Sequence, residues 1–81
     1  MQKLLIGEAL CRVSQTQYYL LEEESEHGGS YGVEVEMEGE TAAFSDLSPS
    51  RERVRRLAET LLRGVVTPVT LRDVVEDWLL E

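Results

Sequence analysis

The sequence predicts an α+β fold, an antiparallel β-meander of three to four strands followed by two C-terminal helices packed on one face, in the order ββββαα. Three observations carry that expectation. Val33, Val35 and Met37 alternate with Glu34, Glu36 and Glu38 at the period of a half-buried strand. Glycines at 28, 29 and 39 mark short reversals, which join antiparallel neighbours. Val54, Leu57, Ala58 and Leu61 then recur at i, i+3, i+4 and i+7, the stripe of a helix lying on apolar neighbours.

Taken in order, the first strand is expected from Leu4 to Val13, an apolar stretch with small residues and no capping signal. Gln15, Thr16 and Gln17 lead into Tyr18-Tyr19-Leu20-Leu21, a second strand with apolar surroundings on both sides, ending in Glu22-Glu23-Glu24. A hairpin over residues 25–30 returns the chain into the third strand, whose valines face the core and whose glutamates face outward. Two registers stay open for that pairing. Leu21 opposite Val35 sets Glu22 across from Glu34, a like-charge contact, whereas Leu20 opposite Val35 avoids it. Gly39-Glu40 turns the chain again, and Thr41-Ala42-Ala43-Phe44 is short enough for an edge strand.

Ser48-Pro49 reads as the first helix start, with Ser50 a rival cap, and Gly64 as its left-handed terminator. Val65-Val66-Thr67-Pro68 breaks the helix. Thr70 then caps the second helix with Asp73 three residues on, and Val69 and Val74 are spaced for a hydrophobic staple. The expected core comprises Leu4, Ile6, Leu21, Val33, Val35, Met37, Phe44, Val54, Leu57, Leu61, Leu71, Val74, Val75, Trp78 and Leu79.

A chain of 81 residues builds one core, so residues 1–81 are expected to be a single α+β domain, with a meander over 1–47 and a helical pair over 48–81. The net charge of −8 does not imply disorder, because apolar residues are periodic and make up 42% of the chain. Residues 1–47 set Lys3 and Arg12 against ten acids, while residues 48–81 set six arginines against six acids. Such acidity argues against direct DNA binding or attachment to an anionic membrane. Cys11 is the only cysteine, which leaves no internal disulfide and suggests a buried strand residue. The run Leu4–Ile6 is too brief for a signal peptide or membrane span, so a cytoplasmic location is the expectation.

No motif supports catalysis, so no catalytic, cofactor or metal residues are assigned and the chain is expected not to be an enzyme. His27 is the only histidine and falls at a loop tip, where no third group can hold it against a nucleophile. Gly28-Gly29-Ser30-Tyr31-Gly32 leads into a strand, whereas a phosphate-binding glycine loop leads into a helix. Eight glutamates in residues 22–40 would spread along a flat strand surface, unlike the converging oxygens of a cation site. The two helices have helix-turn-helix length, but Asp73, Glu76 and Asp77 on the second would meet phosphate with like charge.

The candidate interface residues are therefore Glu22, Glu34, Glu36 and Glu38 on the acidic hairpin, Arg53, Arg56 and Arg63 in line on the first helix, and Leu80. The arginines have two readings, pairing with neighbouring glutamates or contacting RNA or a phosphoprotein. Leu80 lies outside the apolar stripe of its helix, which fits either a homodimer contact or an exposed chain end.

Tyr18-Tyr19-Leu20-Leu21-Glu22, Tyr31-Gly32-Val33-Glu34-Val35 and the run from Thr67 to Leu79 together resemble small uncharacterised proteins of Gram-positive bacteria, grouped only as a domain of unknown function. The resemblance covers most of residues 17–80. Those relatives commonly have His where this chain has Thr70 and Phe where it has Trp78, so a role for that histidine would not carry over. The resemblance implies no activity. The leading expectation is a non-enzymatic protein–protein interaction or regulatory module using its acidic sheet face toward another, basic protein, with no cofactor and with a homodimer as one option. The alternative is an acidic nucleic-acid mimic in which Glu22, Glu34, Glu36 and Glu38 stand in for phosphates.

Overall fold

The computed structural model describes residues 2–26 and 28–81, and of Cys11 and Ser25 the backbone alone. The expectations of a solvated His27 and a buried Cys11 side chain lie outside the described residues. The element order is β1 (Gln2–Cys11), β2 (Ser14–Ser25), β3 (Gly28–Met37), β4 (Glu40–Ser48), α1 (Arg51–Arg63) and α2 (Pro68–Leu79). The strands form one antiparallel sheet in the order β1-β2-β3-β4, the meander expected from the short connections. Both helices lie on the same face, α1 across β1, β2 and β3 and α2 across β3 and β4.

Strand alternation sorts the side chains into rows across the sheet. Leu4, Leu20, Val33 and Phe44 form one row, and Gly7, Tyr18, Val35 and Ala42 the next. These rows face the helices. Tyr18, Leu20, Val33 and Val35 are fully buried against Val54, Leu57, Ala58 and Leu61 of α1 and Leu71 and Val75 of α2. Each such aliphatic side chain contributes about 2 kcal/mol by leaving water. The Tyr18 hydroxyl donates to the Val66 carbonyl at 2.9 Å, fastening the sheet to the segment between the helices.

The register of β2 on β3 is neither of the two expected. Tyr18 lies opposite Val35 and Leu20 opposite Val33, which sets Tyr19 across from Glu34 and Tyr31 across from Glu22. This pairing keeps carboxylates apart and places the larger aromatic body of Tyr18 in the core. Leu21 points to the other face and is only 4% exposed, in a row with Lys3 and Gly32 and outside the apolar core of the helix side. Of the expected core, Leu4 is 43% and Leu79 is 55% exposed. Leu4 stands on an edge strand beyond the reach of α2, and Leu79 falls off the sheet-facing stripe of its helix. Met37 is only half-buried, near the end of β3.

Ends of elements shift for local reasons. The first strand begins and ends two residues earlier than expected, with Arg12 and Val13 forming its turn and Arg12 at φ 58°. The second turn is Glu38-Gly39, where Gly39 takes φ 80°, a left-handed conformation that favours glycine. The fourth strand runs on past Phe44 to Ser48 through a bulge at residues 45–47, with Asp46 at φ 55°. Ser50, not Ser48, caps α1, its Oγ accepting from the Arg53 amide at 3.3 Å, while the Ser48 Oγ accepts from the Ser50 amide at 3.1 Å.

Gly64 is not the left-handed terminator. It remains right-handed at φ −85°, and Val65 takes φ 49°. The Val65 amide donates to the Leu62 carbonyl and the Val66 amide to the Leu61 carbonyl, a Schellman ending with valine at C′. Pro68 starts α2 as its first residue, so Thr67 is the cap and Thr70 occupies N3, its Oγ1 accepting from the Thr67 amide at 3.2 Å. The staple pair therefore moves from Val69 and Val74 to Val66 at N′ and Leu71 at N4, both packed on the core, while Val69 is 74% exposed.

Candidate functional site

The sheet face opposite the helices is uncovered by any described element. Its rows follow from the same registers: Leu5, Tyr19, Glu34 and Ala43 in one, Glu8, Gln17, Glu36 and Thr41 in the next. Leu10 and Gln15 extend it at one end, Lys3 and Leu21 at the other. Leu5 and Leu10 are 47% and 63% exposed, so the face offers aliphatic surface along its β1 edge, with the carboxylates of Glu34 and Glu36 inward of it on β3.

Lys3, the single lysine, reaches from the β1 edge across this face. Its Nζ lies 2.8 Å from Glu34 Oε2 and 3.3 Å from Glu36 Oε2, with the Tyr19 ring centroid 4.5 Å away. Hydrogen bonding to Glu34 raises the Lys3 pKa above its ordinary value. Loss of hydration, and next the Glu36 carboxylate, push the Tyr19 phenol up. The expected outward glutamate stripe of β3 is thus partly neutralised: the Glu34 side chain is only 15% exposed and that of Glu36 33%.

The acidic candidates do not share one surface. Glu34 and Glu36 lie on the uncovered face and Glu38 in the β3–β4 turn, whereas Glu22 lies on the helix side, 3.0 Å from the Arg51 Nε. A β2–β3 strand order therefore cannot present all four as a row of phosphate mimics. The arginines divide similarly. Arg56 pairs with Glu52 at 2.8 Å, and Arg63 donates to the Thr60 hydroxyl at 3.3 Å. Arg53 instead lies over the Trp78 ring, 5.1 Å from its centroid.

Arg53 and Trp78 belong to a groove of about 420 Å³ between the helices, lined also by Arg56, Leu57, Thr60, Val74, Asp77 and Glu81. Its walls carry both signs of charge. Leu80 is 85% exposed at the end of α2 and outside this groove. Among the described residues, no group of three or more histidine, cysteine, aspartate or glutamate side chains is placed to hold a metal ion. No described helix is long and apolar enough to cross a membrane.

Sequence reasoning missed Lys3, Leu5, Leu10 and Tyr19 as members of one surface. The signal for Lys3 was its isolation among the acids of the first half, which leaves it several carboxylates to meet but does not say which. No curated protein and no solved structure matches the chain. A family model does match, over residues 3–81, and the chain therefore belongs to a family described as a Family of unknown function (DUF6514).

Proposed function

We propose that this chain is a small non-enzymatic protein–protein interaction module whose partner docks on the uncovered face of the sheet. The observation that supports it is the pair of exposed leucines, Leu5 and Leu10, on a sheet face with no helix over it, with Glu8 between them on β1 and Glu34 and Glu36 two strands away on β3. An aliphatic edge beside an acidic inner strand suits a partner that sets an apolar patch next to a basic one. Lys3 keeps Glu34 and Glu36 in fixed positions, which reduces the entropy lost on docking. The nucleic-acid mimic has less support, since Glu22 faces the other way and is held by Arg51.

Cross-linked capture from lysate, read by mass spectrometry, tests this. A Glu8→Arg/Glu36→Arg variant is compared with an Arg55→Glu/Glu59→Arg variant, which reverses an ion pair on α1. The expected result is one partner lost from the sheet variant and retained by the helix variant. The reverse pattern would move the site to the helices and end this reading.

A further inference from the structure

We infer that β1 pairs antiparallel with the β1 of a second copy, making one sheet continuous through both chains. β1 is an edge strand of ten residues with β2 on one side and no described element hydrogen-bonded on the other. Edge strands of soluble proteins are ordinarily guarded by charge, proline or bulges that break the edge. The opposite edge, β4, is guarded in this way by its bulge and by Glu40 and Asp46. β1 also carries a bulge and two charges, but these are of opposite sign, Lys3 and Glu8, so a second copy meets attraction there, where two β4 edges would set acid against acid.

The identity of the occupant follows from a parity argument. Pairing β1 with itself along its whole length sets Gln2 against the second copy's Cys11 and places the two-fold axis between Ile6 and Gly7. In a regular ten-residue strand this arrangement fails, because the residues brought opposite one another are an odd number apart and point to opposite faces. The register shift between Leu5 and Gly7 repairs it, adding one residue at the middle of the strand. Leu5 and Glu8 then share the uncovered face, as their partners Tyr19 and Gln17 on β2 show, and Leu4 and Ala9 share the helix face with Leu20 and Thr16.

The side chains also fit. Leu4 meets the second copy's Ala9 and Ile6 meets its Gly7, a large residue against a small one in each case. Gly7 already lies beneath Leu62 of α1, so the two half-buried Leu62 side chains are brought to the axis and cover each other. On the uncovered face Lys3 stands diagonal to the second copy's Glu8. An ammonium has three protons to donate, and Glu34 and Glu36 take two of those of Lys3. No unrelated extended peptide is required to supply this match, because β1 supplies both halves of it. The β1 edge shares Leu5 and Leu10 with the face proposed above for a partner, but the dimer is read from the pure chain and stands or falls without that reading.

Sedimentation velocity of the full chain between roughly 5 and 200 µM, with salt near 0.15 M to screen two net charges of −8, tests the dimer. Four substitutions at exposed positions test its register. Leu5 faces the second copy's Glu8, so Leu5→Glu should weaken association at least roughly tenfold while Leu5→Lys leaves it intact. The signs reverse at Leu10, which faces the second copy's Lys3: Leu10→Lys should dissociate the dimer and Leu10→Glu should not. Far-UV circular dichroism confirms that each variant folds. A wild-type monomer throughout the range, or a dimer indifferent to the sign of the charge at positions 5 and 10, overturns the inference.

Discussion

The Lys3 ammonium reaches across β2 to the Glu34 carboxylate at 2.8 Å, joining strands β1 and β3, which do not pair with each other. The contact spans the Tyr19 ring and also engages Glu36, so four side chains from three strands form one cluster. A cross-sheet tie of this kind fixes the relative positions of the acids on the uncovered face.

The cluster makes stability sensitive to alkali. Hydrogen bonding to Glu34 raises Lys3 above 10.5, and lost hydration raises Tyr19 above 10.0. A group whose pKa is higher when folded holds its proton more tightly in that state. Its contribution is complete below the unfolded pKa and is lost as pH rises through the folded one. Urea denaturation at stepped pH should therefore find stability level up to about pH 9 and falling above pH 10, with a shallower fall in Lys3→Met. An equally steep decline in that variant would remove Lys3 from the explanation.

Gly32 should tolerate no side chain. A Cβ there would lie 2.0 Å from the Phe44 carbonyl oxygen and 2.7 Å from the Ser45 Cα, backbone atoms that cannot rotate aside. Gly32→Ala must force the β4 bulge away and is expected to remove about 3 kcal/mol or more, a fall in melting temperature of roughly 12 °C or more. At Gly7 the obstruction at 2.6 Å is the tip of the Leu62 side chain, which can change rotamer. Gly7→Ala should lower the melting temperature by about half as much or less.

Val65 should be improvable. Its φ of 49° sets a β-branched side chain in the left-handed region, an arrangement costing about 1–2 kcal/mol relative to glycine. Glycine returns part of that gain through the greater freedom of the unfolded chain. Val65→Gly is expected to raise stability by about 0.5–1 kcal/mol, read as a higher urea midpoint with unchanged slope. A lower midpoint would mean that packing of the valine outweighs its strain.

Thr16 is fully buried, and its hydroxyl finds no hydrogen-bond partner among the described residues. Replacing it by the isosteric valine removes a desolvated polar group without opening a cavity. Thr16→Val should leave stability unchanged or raise it by about 1 kcal/mol in thermal melts. Destabilisation of that size would show that the hydroxyl is satisfied in solution.

The architecture was legible wherever periodicity was local. Val33, Val35, Val54, Leu57 and Leu61 are all buried as their spacing implies, since alternation and the helical stripe are properties of a few neighbouring residues. Ends of elements were less legible because a residue close to the expected one can take its place: Ser50 for Ser48, Thr67 for Thr70, Val65 for Gly64. The Lys3 cluster was hidden for a stronger reason. It depends on the register of β1 on β2 and of β2 on β3 together, and a slip of one residue in either would send Lys3 or Glu34 to the opposite face.

The uncovered sheet face as a docking surface is tested most directly by hydroxyl-radical footprinting with the captured partner present and absent. Oxidation of Leu5, Leu10 and Tyr19 should fall on binding while that of Trp78, in the groove between the helices, stays the same. Protection of Trp78 with the three sheet residues unchanged would contradict it and assign the partner to the helical side.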